Sequence, residues 1–216
     1  TVLNRILVGS GALGLATPKP FPAISKGLKE WRMVTSWPKG LPGLGTGAER
    51  LAKRIGEMSG GRITVKVYSA GELVPALGVF DAVAAGTAQI GHDAAYYHLG
   101  KSEGCAFFTS FPWGFTANEL EAWIAYGGGQ ELWDQLYEPF GLRAFLAGNT
   151  GTQMLGWFRK PINSVEDLKG LKFRAYNSSL IRLAELTGMA PTKIEAAEIS
   201  QAFSTGAVES MITSPT

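Results

Sequence analysis

The first third of the chain alternates between stretches with strand-like and helix-like spacing of apolar residues. Apolar residues at every second position predict strands over 31–37 and 63–68, and a short buried strand over 89–94. Helical spacing predicts a helix over 48–58 and another that begins at Pro75 and ends at Gly86. This βαβαβ order indicates an open α/β sheet, in which ligands bind at the strand ends.

The remainder of the chain has a less regular alternation. Helices are predicted over 116–126, 130–137, 179–186 and 196–203, and strands over 142–146, 153–159, 171–174, 190–194 and 208–213. Three pairs of residues have the spacing of a capping box at a helix start, namely Thr46 with Glu49, Thr116 with Glu119, and Ser164 with Asp167. An irregular patch of aromatic residues lies between residues 107 and 115.

The stretch 163–175 predicts a short, well-specified unit that ends in an arginine. Ser164 and Asp167 cap a short helix, and Gly170 ends it at a position that tolerates positive φ. Phe173 and Arg174 then belong to an alternating strand. A guanidinium fixed at a strand end can bind both oxygens of a carboxylate, although an ordinary surface arginine fits these residues as well.

Composition and charge exclude several classes of protein. The 216 residues are 45% hydrophobic and 18% charged. The net charge is +2, and positive and negative residues are interspersed along the chain. Such a distribution of charge is not that of a nucleic-acid-binding or membrane-surface protein. At the N-terminus, Arg5 precedes an apolar run over 6–16, then prolines and Ala23-Ile24-Ser25, which is the order of a secretory signal.

Two sets of residues resemble enzyme motifs, but each lacks part of the pattern that its chemistry requires. Gly43, Gly45 and Ala48 fit a dinucleotide fingerprint between a strand and a helix, but prolines lengthen the loop and no acidic residue ends the second strand. His92 and His98 do not share a helix face, and Cys105 has no obvious activating partner. A nucleotide-dependent oxidoreductase that uses the glycine loop is therefore an alternative, and no metal or nucleophile site is predicted.

Several polar residues that could orient a small anion stand near predicted strand ends. Tyr96 and Tyr97 follow a strand, Asn149 and Gln153 frame a turn between two strands, and Arg174 ends another. Each also has a structural interpretation, because tyrosines pack in cores and asparagine is common in turns.

The sequence resembles a known family. It is similar to the DctP-type extracytoplasmic solute-binding proteins of tripartite ATP-independent periplasmic (TRAP) transporters, in particular the branch that binds 2-oxo and 2-hydroxy monocarboxylates. The resemblance covers roughly residues 31–210. Matching segments include Trp31-Arg32-Met33-Val34-Thr35-Ser36-Trp37-Pro38, Tyr126-Gly127-Gly128-Gly129-Gln130, Gly148-Asn149-Thr150-Gly151 and Asp167-Leu168-Lys169-Gly170-Leu171-Lys172-Phe173-Arg174.

The resemblance implies a type II-like periplasmic binding protein with two α/β lobes, each an open mixed sheet flanked by helices. It implies a signal-like leader over 1–25, the first part of lobe I over 26–125, lobe II over 126–209, and the start of the return to lobe I over 210–216. It implies a protein that is exported to the periplasm, is not an enzyme, and delivers a carboxylate to TRAP membrane permease subunits. A homodimer is one alternative.

The resemblance also assigns roles to residues at the matching positions. Arg174 would pair with the substrate carboxylate, Gln153 and Asn149 would bond its other oxygens, and Tyr96 or Tyr97 would supply a hydroxyl. Where the branch has a Glu-Trp pair, this chain has Ile212-Thr213, so no cofactor is expected and a bridging cation is disfavoured. The family also has a further C-terminal region, so we expect the C-terminal part to be missing here, and a non-functional truncated remnant is a further alternative.

Overall fold

The first sheet has a central strand with a parallel neighbour on each side. The computed structural model describes residues 28–109, 114–151, 156–175, 178–194 and 198–212. In it, β1 (Lys29–Thr35) lies between β2 (Ile63–Tyr68) and β3 (Ile90–His92). The connections contain α1 (Gly45–Met58) and α2 (Val79–Ala84), which a 3₁₀ turn at Ala76–Gly78 precedes. The predicted βαβαβ unit is confirmed.

A helix covers each face of the first sheet. Successive residues of β1 point to opposite sides, so neighbouring residues contact different helices. Met33 packs with Ala48 and Ala52 of α1 on one face. Val34 packs with Val79 and Ala82 of α2 on the other. Met33 and Val34 are almost completely buried, which explains why the end of β1 is hydrophobic without alternation.

A helical layer follows the first sheet and is built around aromatic rings. It consists of α3 (Ala117–Tyr126) and α4 (Gly129–Tyr137), with 3₁₀ segments at Ala95–His98, Glu103–Phe108 and Glu138–Phe140. The predicted capping box of Thr116 and Glu119 is present at the start of α3. Phe108 stacks between Trp123 and Trp133, with ring centroids 5.6 Å and 4.8 Å away. These rings give the layer a core of its own.

The second sheet has four strands in the order β4-β7-β5-β6. They are β4 (Trp157–Phe158), β5 (Lys172–Ala175), β6 (Ala190–Lys193) and β7 (Ser210–Met211). β5 runs parallel to both β6 and β7, whereas β4 is antiparallel to β7. The connections contain a 3₁₀ turn at Val165–Leu168, α5 (Ser178–Leu186) and α6 (Ile199–Thr205).

The two sheets share one hydrophobic cluster. Trp37 and Tyr97, which follow strands of the first sheet, are buried in the same cluster as Phe173, Ala175 and Ile212 of the second. Leu171, Ala184 and Met189 complete its buried members. The residues that follow the strands of both sheets therefore meet in one place.

Two predicted local features are wrong. Thr46 and Glu49 form no capping box: α1 begins one turn earlier, its N-cap Leu44 has no side-chain bond, and the Thr46 hydroxyl accepts from the Gly43 backbone N–H. Residues 142–146 form no strand, and the Ala144 carbonyl accepts from the Gln130 side-chain amide at 2.8 Å.

Some predictions concern residues that the structure does not describe. The signal-like leader over 1–25, Gln153 and Thr213 lie outside the described residues. Among the helices of the described ranges, none has the length and apolar character needed to cross a bilayer.

Candidate functional site

Arg174 lies at the end of β5 and is buried, with 3% of its surface exposed. Its Nε donates to the Ile194 carbonyl at 2.9 Å, and its Nη1 donates to the Ile212 carbonyl at 2.9 Å. Ile194 directly follows β6 and Ile212 directly follows β7, the two strands that flank β5. The side chain is therefore fixed across the carboxyl ends of three parallel strands, where α/β sheets bind ligands.

The burial of Arg174 departs from the sequence pattern in an informative way. Strand alternation places Leu171 and Phe173 on a core face, and both are buried, whereas Lys172 on the other face is exposed. Arg174 shares the face of Lys172 and yet is buried. Burying a guanidinium is unfavourable unless it is hydrogen-bonded, and an ordinary surface arginine is solvated. The interpretation of Arg174 as a surface residue is therefore wrong.

The unit that precedes β5 forms as the sequence predicts. The Asp167 carboxylate accepts from the backbone N–H groups of Asn163 and Ser164 at 2.9 Å and 3.1 Å, and the capping box is present. These bonds lower the pKa of the Asp167 carboxyl. Gly170 has a φ of 76° and accordingly needs to be glycine. The capped segment is a 3₁₀ turn, and it sets the start of the strand that carries Arg174.

Tyr97 contributes a hydroxyl beside Arg174. Burial raises the pKa of Tyr97, and the charge of the nearby Arg174 guanidinium partly opposes this rise. The ring of Tyr96 lies edge-on to the Tyr97 ring, 4.9 Å away between centroids, and Tyr96 is only half-buried. A buried cation and a neutral phenol at one place are suitable partners for the two ends of a small oxo or hydroxy acid.

The two other predicted ligand residues are Asn149 and Gln153. Asn149 is exposed, and its side-chain oxygen accepts from the Gly151 backbone N–H at 2.9 Å, which is an Asx turn. The structure thus brings together Arg174, Tyr97 and Tyr96, whereas the hydrogen bond of Asn149 is local to its own turn. Gln153 lies outside the described residues.

Trp37 and His92 form a buried polar pair next to this group, and the sequence pattern did not point to it. The Trp37 Nε1–H donates to His92 Nδ1 at 2.7 Å. An imidazole nitrogen that accepts a bond from an indole carries no proton, so His92 is neutral with its proton on Nε2. Burial lowers the pKa of His92, which agrees with a neutral ring, while the neighbouring Asp93 opposes this shift. The Asp93 carboxylate itself binds the Nε2 of His98.

A cavity of about 410 Å³ opens beside the junction of the two sheets. Its walls are the loop from Ala70 to Ala76 that follows β2, and Glu198 at the start of α6. Leu77, just beyond this loop, packs against the shared cluster. Among the residues that the structure describes, the lining contains a carboxylate and no cationic side chain, so this part of the cavity is poorly suited to an anion.

The glycine loop before α1 does not offer a phosphate site. The backbone N–H groups of Thr46, Gly47 and Ala48 donate to the Leu41, Gly43 and Leu44 carbonyls. These are the groups that a dinucleotide pyrophosphate would need at a helix N-terminus. A Cβ at Gly45 would approach the Pro38 carbonyl to 2.7 Å, so this glycine allows the loop to fold against its own helix. The geometry disfavours the oxidoreductase alternative.

Metal and nucleophile chemistry gain no support among the residues that the structure describes. Within them, no group of three or more His, Cys, Asp or Glu side chains could hold a metal ion. Cys105 is buried, and burial raises the pKa of its thiol, which opposes formation of a thiolate.

Comparison with known proteins gives a consistent result. A family model for DctP, described as bacterial extracellular solute-binding protein, family 7, matches residues 34–214. The chain is 47% identical over 177 residues to a monocarboxylate 2-oxoacid-binding periplasmic protein of Nostoc sp., covering 80% of this chain and 48% of that protein.

Solved structures show the same fold. A TRAP periplasmic solute-binding protein of Pseudoalteromonas atlantica with bound sodium and pyruvate has a TM-score of 0.80 and 43% identity, over 87% of this chain and 56% of that one. One of Colwellia psychrerythraea with bound calcium and pyruvate has a TM-score of 0.80 and 41% identity, over 87% of this chain and 57% of that one.

The predicted two-sheet α/β architecture with flanking helices is thereby confirmed as that of a TRAP periplasmic binding protein. The chain spans about half the length of the relatives that it matches. Because the family model covers most of the sequence and the Nostoc relative is 47% identical over 177 residues, the family is clear. The chain belongs to the DctP family of bacterial extracellular solute-binding proteins.

Proposed function

We propose that the protein binds a small organic monocarboxylate, a 2-oxo or 2-hydroxy acid of the size of pyruvate, and delivers it to TRAP membrane permease subunits. In this proposal it is exported to the periplasm and acts as a binding protein, not as an enzyme. The observation that carries the proposal is the buried guanidinium of Arg174, which two strand-end carbonyls orient beside the Tyr97 hydroxyl. The names of the relatives that bind 2-oxo acids or hold pyruvate support the same class of ligand.

In the proposed complex each polar residue has one role. Arg174 binds the carboxylate, and its bonds to the Ile194 and Ile212 carbonyls fix the orientation of the guanidinium. The Tyr97 hydroxyl, with Tyr96 beside it, bonds the 2-oxo or 2-hydroxy oxygen. Asn149 and Gln153 bond the remaining oxygens through their side-chain amide N–H groups, which in Asn149 is compatible with the bond that its oxygen accepts from Gly151.

Calorimetric titration of the protein from its complete reading frame tests the proposal. Pyruvate, lactate and longer 2-oxo acids are compared with methyl pyruvate, an ester that lacks the carboxylate charge. We expect binding of at least one acid and none of the ester. Removing one member of a buried charge-assisted pair costs about 2–5 kcal/mol, so Arg174→Ala should lose more than tenfold in affinity.

The matched control is Arg182→Ala, because Arg182 is an exposed arginine that pairs with Glu185 on the surface of α5. Its affinity should equal that of the unmodified protein. Failure of every carboxylate to bind, or an unchanged affinity in a folded Arg174→Ala protein, contradicts the proposal.

Two further parts of the proposal have their own measurements. Two relatives hold sodium or calcium together with pyruvate, so the titration is repeated with added calcium and with a chelator. Calcium takes oxygen ligands, and an affinity that falls after chelation assigns a bridging calcium ion to this protein too. The homodimer alternative is tested by sedimentation equilibrium with and without ligand.

A further inference from the structure

We propose that Trp37 and His92 are positioning residues for the carboxylate site: His92 fixes the Trp37 indole, and the indole holds Tyr97 where its hydroxyl meets Arg174. The four residues form a contact series, His92, Trp37, Tyr97 and Arg174, that crosses from the first sheet to the second. This inference rests on the proposed function, which it deepens by assigning residues that do not touch the ligand.

The first contact of the series is specific to these two side chains. Trp37 is 3% exposed and follows β1, whereas His92 ends β3, which pairs with β1. The Ser36 backbone N–H donates to the His92 carbonyl, so the backbones hold the two residues side by side. A buried indole N–H requires an acceptor, and His92 Nδ1 supplies it at 2.7 Å.

His92 can accept the Trp37 bond because the neighbouring carboxylate, Asp93, is bonded to a different histidine. Asp93 binds the Nε2 of His98, which is itself buried. His92 therefore stays the neutral acceptor that the indole needs, with Trp37 T-shaped to its ring at 6.3 Å between centroids. A second histidine close in sequence thus supplies the partner of the Asp93 carboxylate.

The second contact transmits the position of the indole to the site. The Trp37 and Tyr97 rings lie 6.1 Å apart between centroids at 48°. The Tyr96 ring also contacts Tyr97, edge-on at 4.9 Å between centroids. Tyr97 therefore packs against two aromatic rings, and it shares a buried cluster with Phe173 and Ala175, the residues on either side of Arg174. A ring so confined has few rotamers, so removal of one neighbour widens the range of its hydroxyl.

Substitutions that keep or remove one atom of the series separate positioning from bulk packing. Trp37→Phe keeps an aromatic ring and removes the N–H donor. His92→Leu removes the acceptor, whereas His92→Asn places an amide oxygen near the position of Nδ1 and should restore the bond. Trp123→Phe is a matched control outside the series.

Pyruvate affinity is measured by calorimetry for each variant at a temperature where circular dichroism shows it fully folded. Trp37→Phe and His92→Leu should each lose about fivefold in affinity, the net value of one ordinary hydrogen bond. His92→Asn should stay within about twofold of the unmodified protein, like the Trp123→Phe control. If Trp37→Phe binds like the unmodified protein, or if His92→Asn loses as much as His92→Leu, the inference is wrong.

A second measurement does not depend on any ligand, so it separates this inference from the proposed function. The Nε–H of Arg174, identified by loss of its NMR signal in Arg174→Lys, donates to the Ile194 carbonyl and should exchange slowly with solvent. We expect its exchange to be about fivefold faster in Trp37→Phe and in His92→Leu, and nearly normal in His92→Asn. Equal exchange in all of these proteins overturns the inference, whether or not pyruvate binds.

Discussion

Replacement of Arg174 by lysine should destabilise the fold although it conserves the charge. β5 lies between β6 and β7, and the guanidinium reaches a carbonyl beyond the end of each of them. A lysine ammonium is a single point and can serve one of these sides but not both. At least one carbonyl is then left without its donor, and an unsatisfied buried acceptor costs about 1–3 kcal/mol. The free energy of unfolding should fall by roughly this amount.

Urea unfolding followed by circular dichroism measures this change. The midpoint should move to lower urea while the slope stays constant, because the surface exposed on unfolding is the same. Arg182→Lys is the control, and as an exposed substitution it should change stability by less than about 0.5 kcal/mol. If Arg174→Lys is as stable as the control, the two carbonyl bonds do not hold Arg174 as described, and the reasoning about its fixed orientation fails.

Three further predictions concern stability. Thr116→Ala should destabilise α3 by about 1 kcal/mol, measured by urea unfolding, because its hydroxyl caps the helix; an unchanged midpoint contradicts this role. Gly129→Ala should cost about 1–3 kcal/mol by overpacking, since a Cβ there would lie 2.8 Å from the Trp123 ring, whereas Gly47→Ala in open space should not destabilise. The pKa of His92 is lowered in the folded protein, so its contribution to stability is complete above its ordinary value of 6.5 and declines as the pH falls below it. His92→Asn should remove the loss of stability that His92 causes below pH 6.5, measured by urea unfolding at several pH values. If the dependence of stability on pH is unchanged in this variant, other groups cause it.

Local sequence patterns predicted the parts of the site that depend on near neighbours. The bounds of β2 agree with the predicted strand, and the capping box at Ser164 and the glycine turn before β5 are confirmed. Each of these features is decided within a few residues, by alternation, by a reciprocal carboxylate, or by a positive φ. The residues that decide these features are all close together in the sequence, so the sequence is enough to predict them.

The features that the sequence did not predict depend on distant residues. The carbonyls that hold Arg174 belong to residues 20 and 38 positions further along the chain, and the acceptor for Trp37 is 55 positions away. Thr46 does not form its predicted capping box because of the loop that precedes the helix. Its spacing to Glu49 fits a capping box, but the loop folds back so that Leu41 supplies the carbonyl for the first turn of α1. Tertiary contacts decide these positions, and no local pattern encodes them.

The central claim is that Arg174 binds the carboxylate of a small monocarboxylic acid, and a crystal structure of the intact protein grown with pyruvate tests it most directly. We expect a carboxylate oxygen at about 2.7–2.9 Å from a guanidinium nitrogen of Arg174, as in charge-assisted pairs, with the Tyr97 hydroxyl on the same ligand. Pyruvate bound at another place, with the Arg174 guanidinium out of reach of its carboxylate, would contradict the claim.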